Sequence, residues 1–372
     1  MTLIAWIQLL LIGLAVGGLL LLLLWWRHRS FTFHRLVLLT VFFTFDLILF
    51  GAFTRLTDSG LGCPDWPGCY GLSNPLAALN QIREAESLMP TGPVTLSKAW
   101  IEMLHRYFAM GVGFLIIIMV VWAWSKRKVL GNQTALISTF ILVLVCVQGA
   151  FGAWTVTLKL QPLIVSIHLM LGLSLLAALS YLSNRTSRLG LAFDESQYLV
   201  KDTQPGRGWV WAALIVLCVQ IFLGAWVSTN YAVLACDDFP LCHGQIFPSM
   251  KFSEGFVLWR ELGKTADGGL LSIEALRAIH WTHRLGALVC LSLLLFVAFK
   301  NLKMAMIVAS PQLRRWSFSL LGLALLQLVT GMSNIILDWP LVAALLHTGG
   351  AAGLIVVLVR LLTLRYEEFK RV

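Results

Sequence analysis

Uninterrupted apolar runs alternate with short polar breaks along almost the whole chain. A helix needs roughly 20 mostly apolar residues to cross the hydrocarbon core of a bilayer. Nine stretches fit that requirement, at about 3–26, 36–53, 105–124, 134–157, 162–183, 208–229, 281–299, 315–336 and 340–362. The first carries no charge over 24 residues and has no basic segment before it. It therefore reads as a retained helix rather than a cleaved signal peptide. The pattern predicts an all-α polytopic membrane protein.

Composition agrees. Hydrophobic residues make up 58% of the 372, charged residues 12%, and the mean hydropathy is +0.82. A soluble domain could not bury that much apolar surface. The net charge of +10 would also suit a nucleic-acid surface, but its placement points to membrane orientation instead. With the N-terminus outside, eighteen of the 28 Lys and Arg residues fall in cytoplasmic segments. They are Arg27, Arg29 and Arg35; Lys126, Arg127 and Lys128; Arg185, Arg188, Lys201 and Arg207; Lys300, Lys303, Arg314 and Arg315; and Arg360, Arg365, Lys370 and Arg371. This positive-inside bias predicts a multi-pass protein of the bacterial inner membrane, N-terminus outside and C-terminus cytoplasmic, with lipid and not nucleic acid as its surroundings.

The same orientation divides the seven cysteines. Cys146, Cys218 and Cys290 fall inside apolar helices and read as packing residues. Cys63 with Cys69, and Cys236 with Cys242, fall in outer loops, where the compartment is oxidising. Each pair can close a short disulfide; free thiols or soft-metal ligands are the alternatives. The pairs also mark a duplication. The 21-residue segments Gly51–Gly71 and Gly224–Gly244 share eight identities at a shift of 173, among them both cysteines, Asp65 with Asp238 and Pro67 with Pro240. The halves continue in parallel, each with a long outer loop, a His-Arg pair predicted to open a helix (His105-Arg106, His283-Arg284), and a further histidine, His168 or His347. Three divisions follow: an extra N-terminal helix at 1–34, a four-helix half at 35–207 and a second at 208–372. The Val147–Trp154 and Val219–Trp226 segments share a V-Q-x-x-x-G-A-W pattern that hints at a finer relation between alternate helices.

Four histidines at one depth in the outer leaflet are costly unless they face the bundle interior and serve a purpose there. Zinc usually takes three or four ligands together, whereas each half supplies two, on different helices. Two opposed imidazoles across a flat cofactor is a haem arrangement, and helical bundles commonly host it. Arg106 and Arg284 follow a histidine directly and could fork onto a haem propionate. The halves differ three residues before that histidine, where the first has Glu102 and the second His280. Residues i and i+3 share a helix face. An acid beside a reactive centre can move protons or stabilise a developing cation. The asymmetry predicts one catalytic haem site and one serving electron transfer or structure. Asp46, mid-span in the second apolar stretch, has no acidic counterpart in the other half.

These residues resemble the haem A synthases. The resemblance is carried by Thr54–Gly71, Glu102–Arg106, Ser166–His168, His280–Arg284 and Leu346–Gly350, with Ala235–Gly244 fitting the bacterial members. It runs from about residue 36 to the end. Members of that family have eight spans, so the first helix here is an addition whose role the resemblance leaves open. The resemblance implies an oxidoreductase that converts haem O to haem A, oxidising a ring methyl to a formyl group by successive hydroxylations. It implies haem b as cofactor on His283 and His347, haem O as substrate between His105 and His168, and Glu102 as the essential acid. Cys236 and Cys242 would form a structural disulfide. Cys63 and Cys69 would lie above the substrate site, where a redox role is suspected in some members. The implied partners are a haem O synthase upstream and cytochrome c oxidase assembly downstream; the electron donor stays unnamed, and a homo-oligomer stays open.

Two other readings compete. A membrane cytochrome b serving electron transfer alone also needs four histidines, but usually stacks its haems at different depths. A transporter could use a two-fold repeat, yet this repeat is of parallel sense.

Overall fold

The computed structural model describes residues 3–27, 31–189 and 206–364. Twelve helices follow one another: α1 (Leu3–Arg27), α2 (Phe33–Leu56), α3 (Leu79–Leu88), α4 (Leu96–Ser125), α5 (Arg127–Leu130), α6 (Asn132–Thr157), α7 (Pro162–Leu189), α8 (Arg207–Thr229), α9 (Phe252–Gly255), α10 (Ile273–Ile307), α11 (Pro311–Ile336) and α12 (Leu341–Thr363). Nine of them are long and apolar enough to cross a membrane. The described residues contain only isolated β-bridges, all in loops. The protein is therefore an all-α, polytopic membrane protein.

The nine predicted spans all appear, and two start well before the apolar pattern does. Helix α4 begins at Leu96 and α10 at Ile273. Thr95 Oγ1 accepts from Lys98 N, and Ser272 Oγ accepts from Ala275 N, so each helix has its own N-cap. The first turns are polar, which hid them from a hydropathy reading. His105 and His283 consequently lie more than two turns inside their helices rather than at the start of them, and α4 carries Glu102 and His105 together.

The chain forms two compact units, Met1–Leu182 with Val257–Leu271, and Ser183–Phe256 with Ser272–Val372. In the first, α4 packs on α1, α2 and α6. An apolar core of Leu36, Val37, Leu115, Ile116, Ile141 and Leu179 joins α2, α4, α6 and α7. Helix α1 meets α4 through small residues: a Cβ on Gly13 would lie 2.9 Å from Met110 Cβ, and one on Gly111 would lie 2.7 Å from Val16 Cγ1. Small residues of this kind let membrane helices approach closely. In the second unit α8, α10, α11 and α12 pack in a closed ring, each on the next and α12 back on α8.

The duplicated loops match in detail. Both cysteine pairs are disulfides, Cys63–Cys69 and Cys236–Cys242, with Cα separations of 4.9 and 4.8 Å. Asp65 accepts from Tyr70 N and Gly71 N, and Asp238 accepts from His243 N and Gly244 N. Those turns need the left-handed region, with φ of +74° at Gly71 and +72° at Gly244. The three remaining cysteines are not all packed inside. Cys290 is buried, but Cys146 is exposed on the outer face of α6, where an apolar thiol meets lipid at little cost. Of the basic residues assigned to cytoplasmic segments, Arg29, Lys201, Arg365, Lys370 and Arg371 lie outside the described residues.

Candidate haem-binding site

Each of the four histidines lies against a glycine of a neighbouring helix. A Cβ on Gly51 (α2) would sit 3.1 Å from His105 Nε2 (α4). One on Gly152 (α6) would sit 3.1 Å from His168 Cε1 (α7), one on Gly224 (α8) 2.9 Å from His283 Cε1 (α10), and one on Gly331 (α11) 3.3 Å from His347 Cε1 (α12). Any side chain at these positions would displace an imidazole. Bare backbone is what leaves room for the ring between two helices. His105 has His168 among its close electrostatic neighbours, and His283 has His347. The structure thus brings together one pair in each unit. No cluster of three or more His, Cys, Asp or Glu suited to a single metal ion occurs among the described residues.

The rings differ in how their Nδ1 atoms are met. His283 Nδ1 is 2.9 Å from Gln220 Nε2, which also lies 3.0 Å from the His283 carbonyl. His347 Nδ1 is 2.9 Å from Thr330 Oγ1, while Gln327 Nε2 donates to the His347 carbonyl at 2.9 Å. His168 Nδ1 is buried without a hydrogen bond. A Q-x-x-x-G spacing underlies this arrangement, at Gln148–Gly152, Gln220–Gly224 and Gln327–Gly331; α2 has Leu47 before Gly51. The glycines, Gln220 and Thr330 escaped the sequence reading. The V-Q-x-x-x-G-A-W pattern was their only trace, and α11 keeps just its Gln and Gly.

Above each pair an arginine fastens the disulfide loop to its helix. Glu102 is 4% exposed. Its Oε1 accepts from Arg106 Nη2 at 2.5 Å, and its Oε2 accepts from Cys63 N at 2.8 Å. Arg106 Nη1 donates to the carbonyls of Asp65, Pro67 and Gly68 at 3.0, 3.3 and 2.6 Å. In the second unit Arg284 Nε donates to His280 Nε2 at 3.2 Å, Nη1 to Leu241 O at 2.7 Å and Nη2 to Cys236 O at 2.9 Å. Both guanidinium groups are engaged with the loops. Glu102 belongs to the same latch. Asp46 lies half-buried in α2, apart from these contacts.

The donor set fits a haem in each unit: two imidazoles on facing helices, glycine cradles at each ring, and a ring nitrogen held by a neighbour at both histidines of the second unit. Fold and site together define a polytopic membrane protein built around paired histidines of the haem-ligating kind. Residues 34–359 match the model of the COX15-CtaA family, described as cytochrome oxidase assembly protein. The chain is 39% identical over 326 residues to the haem A synthase of Shewanella oneidensis, covering 87% of this chain and 94% of that protein. It is 32% identical over 208 residues to the haem A synthase of Alkalihalophilus pseudofirmus (55% and 62%) and 26% identical over 318 residues to that of Brucella anthropi (81% and 83%). The chain belongs to the haem A synthase family. The family match begins after α1.

Proposed function

We propose that this protein makes haem A from haem O for cytochrome oxidase assembly, as an oxidoreductase acting on a ring methyl. Its family membership carries the reading. The two units divide the work. His283 and His347 hold a resident haem b; His105 and His168 receive haem O. A bound haem iron supplies the redox chemistry that hydroxylates the methyl group. The residues of the chain bind, orient and set charge. The glycine cradles make room for the imidazoles between helices. Glu102 keeps a carboxylate one helical turn from His105, and Arg106 with the Cys63 amide fixes where that carboxylate sits. The acid there is the group able to hold a proton or offset positive charge at the substrate. His280, at the matching place in the second unit, leaves that site without an acid.

Supporting assignments follow from the same reading. The domains divide as an added helix (1–34), a substrate half (35–207) and a haem b half (208–372). The protein lies in the bacterial inner membrane with N-terminus out and C-terminus cytoplasmic, next in sequence to a haem O synthase. The test is pigment analysis of cells carrying the protein with a haem O synthase. Haem A should appear, and Glu102→Gln should abolish it while haem b stays bound. Haem A at the ordinary level in that variant would remove Glu102 from the role. A spectrum of two permanent b-type haems with no haem A under any condition would replace the whole reading by electron transfer alone.

A further inference from the structure

The two histidine pairs differ at a second place, independent of Glu102 and His280. Counting back from the cradle glycines puts the halves in register. Gln220 stands four residues before Gly224, where α2 has Leu47 before Gly51; Thr330 stands one residue before Gly331, where α6 has Phe151 before Gly152. Both polar residues meet a histidine Nδ1 at 2.9 Å. Both counterparts are apolar and offer no side-chain hydrogen bond. In the first unit the Leu47 backbone lies beside His105, as that of Gln327 lies beside His347, and His168 Nδ1 is buried without a hydrogen bond.

Thr330 also settles a tautomer. Its hydroxyl has one proton, and that proton goes to Leu326 O at 2.7 Å. Toward His347 it can then only accept, so Nδ1 carries the hydrogen and Nε2 keeps its lone pair free for iron. Gln220 Oε1 is buried and without a partner among the described residues. Gln220 Nε2 donates to the His283 carbonyl at 3.0 Å and lies 2.9 Å from Nδ1, so a side chain is fixed against that edge of the ring. A side-chain partner at Nδ1 fixes the plane of the ring and strengthens it as a ligand.

Resting on the haem reading above, we propose that Gln220 and Thr330 are positioning residues that make the His283–His347 pair a holding site, and that Leu47 and Phe151 leave the His105–His168 pair free to exchange its haem. An enzyme whose substrate and product are both haems needs one site that lets go and one that does not. The two apolar replacements supply the difference without changing a ligand.

The experiment uses the full-length protein purified from cells lacking haem O synthase, so that haem b alone is present, and follows its transfer to excess apomyoglobin. The Gln220→Leu/Thr330→Val double variant should release haem about 10- to 100-fold faster than the unaltered protein, and Thr330→Ser, which keeps the hydroxyl, should release it at the unaltered rate. Unchanged release in the double variant overturns the proposal. If the double variant does not assemble, Thr330→Val alone decides by the reduction potential of its haem. The potential should rise, because the imidazole loses an acceptor and donates less to the ferric state; an unchanged potential overturns the proposal. A wild-type protein that binds no haem overturns the proposed function as well, whereas haem held equally in all variants overturns only the anchoring.

Discussion

The same arginine closes the same loop in both halves, yet it does so against a carboxylate in one and an imidazole in the other. Arg106 meets Glu102, and Arg284 meets His280. The first latch is an ion pair almost out of water, with side chains 11% and 5% exposed. The second leaves a cation whose acidic neighbours, Asp238 and Asp237, lie in the loop itself. A duplicated scaffold can therefore keep a fastening while altering the charge at its centre. Function is free to diverge there because the loop needs only an acceptor.

Exchanging the residue tests the comparison most severely. Glu102→His should keep a loop latch of the second kind yet lower haem A formation by at least about 100-fold, the scale of a lost acid–base group. Haem A yield per bound haem b measures it, and a yield near wild type would mean that the halves do not differ in the way proposed. Stability gives the next effect. Arg106→Met strands a buried carboxylate and should destabilise the first unit by about 3–5 kcal/mol. Arg284→Met strands a neutral ring and two carbonyls, at about 1–3 kcal/mol. Thermal unfolding in detergent ranks the two variants; an equal loss would show that the charge difference does not matter.

The smallest effect is one of pH. Hydrogen bonds from Gly244 N and His243 N, with the Arg284 charge beyond, hold the Asp238 carboxyl below its ordinary range. A carboxyl depressed on folding stabilises above its unfolded value, and that contribution fades as pH falls through the lower folded value. The second loop should loosen on acidification, seen as faster hydrogen exchange at His243 and Gly244. Asp238→Asn should remove that pH dependence; an acid limb that survives the substitution would assign it elsewhere.

Much of this was legible in the sequence. Apolar length alone located nine spans, because lipid imposes its own thickness on a helix. Place in the outer loops paired the cysteines, and the shift of 173 residues aligned the two loops, since a short disulfide loop tolerates little change. What stayed hidden was polar or small. The first turns of α4 and α10 are written in capping residues rather than apolar ones. The cradle glycines work by what they lack, and a missing Cβ shows only when its neighbour is seen. The sequence places the arginines beside histidines, while the carbonyls they hold are some 40 residues away in the chain.

Helix α1 has a consequence for biogenesis. Its small-residue face fits α4, yet α2 and the whole first disulfide loop lie between them in the chain. Chains emerge from the N-terminus first. A newly made α1 must wait, its glycine face without its mate, until the loop has been made and α4 has entered the bilayer. Ser73 Oγ donates to Gln8 Oε1 at 2.6 Å, so the loop itself meets α1 when it arrives. Helix α1 thus finds its place only after a later part of the chain, α4, has entered the bilayer.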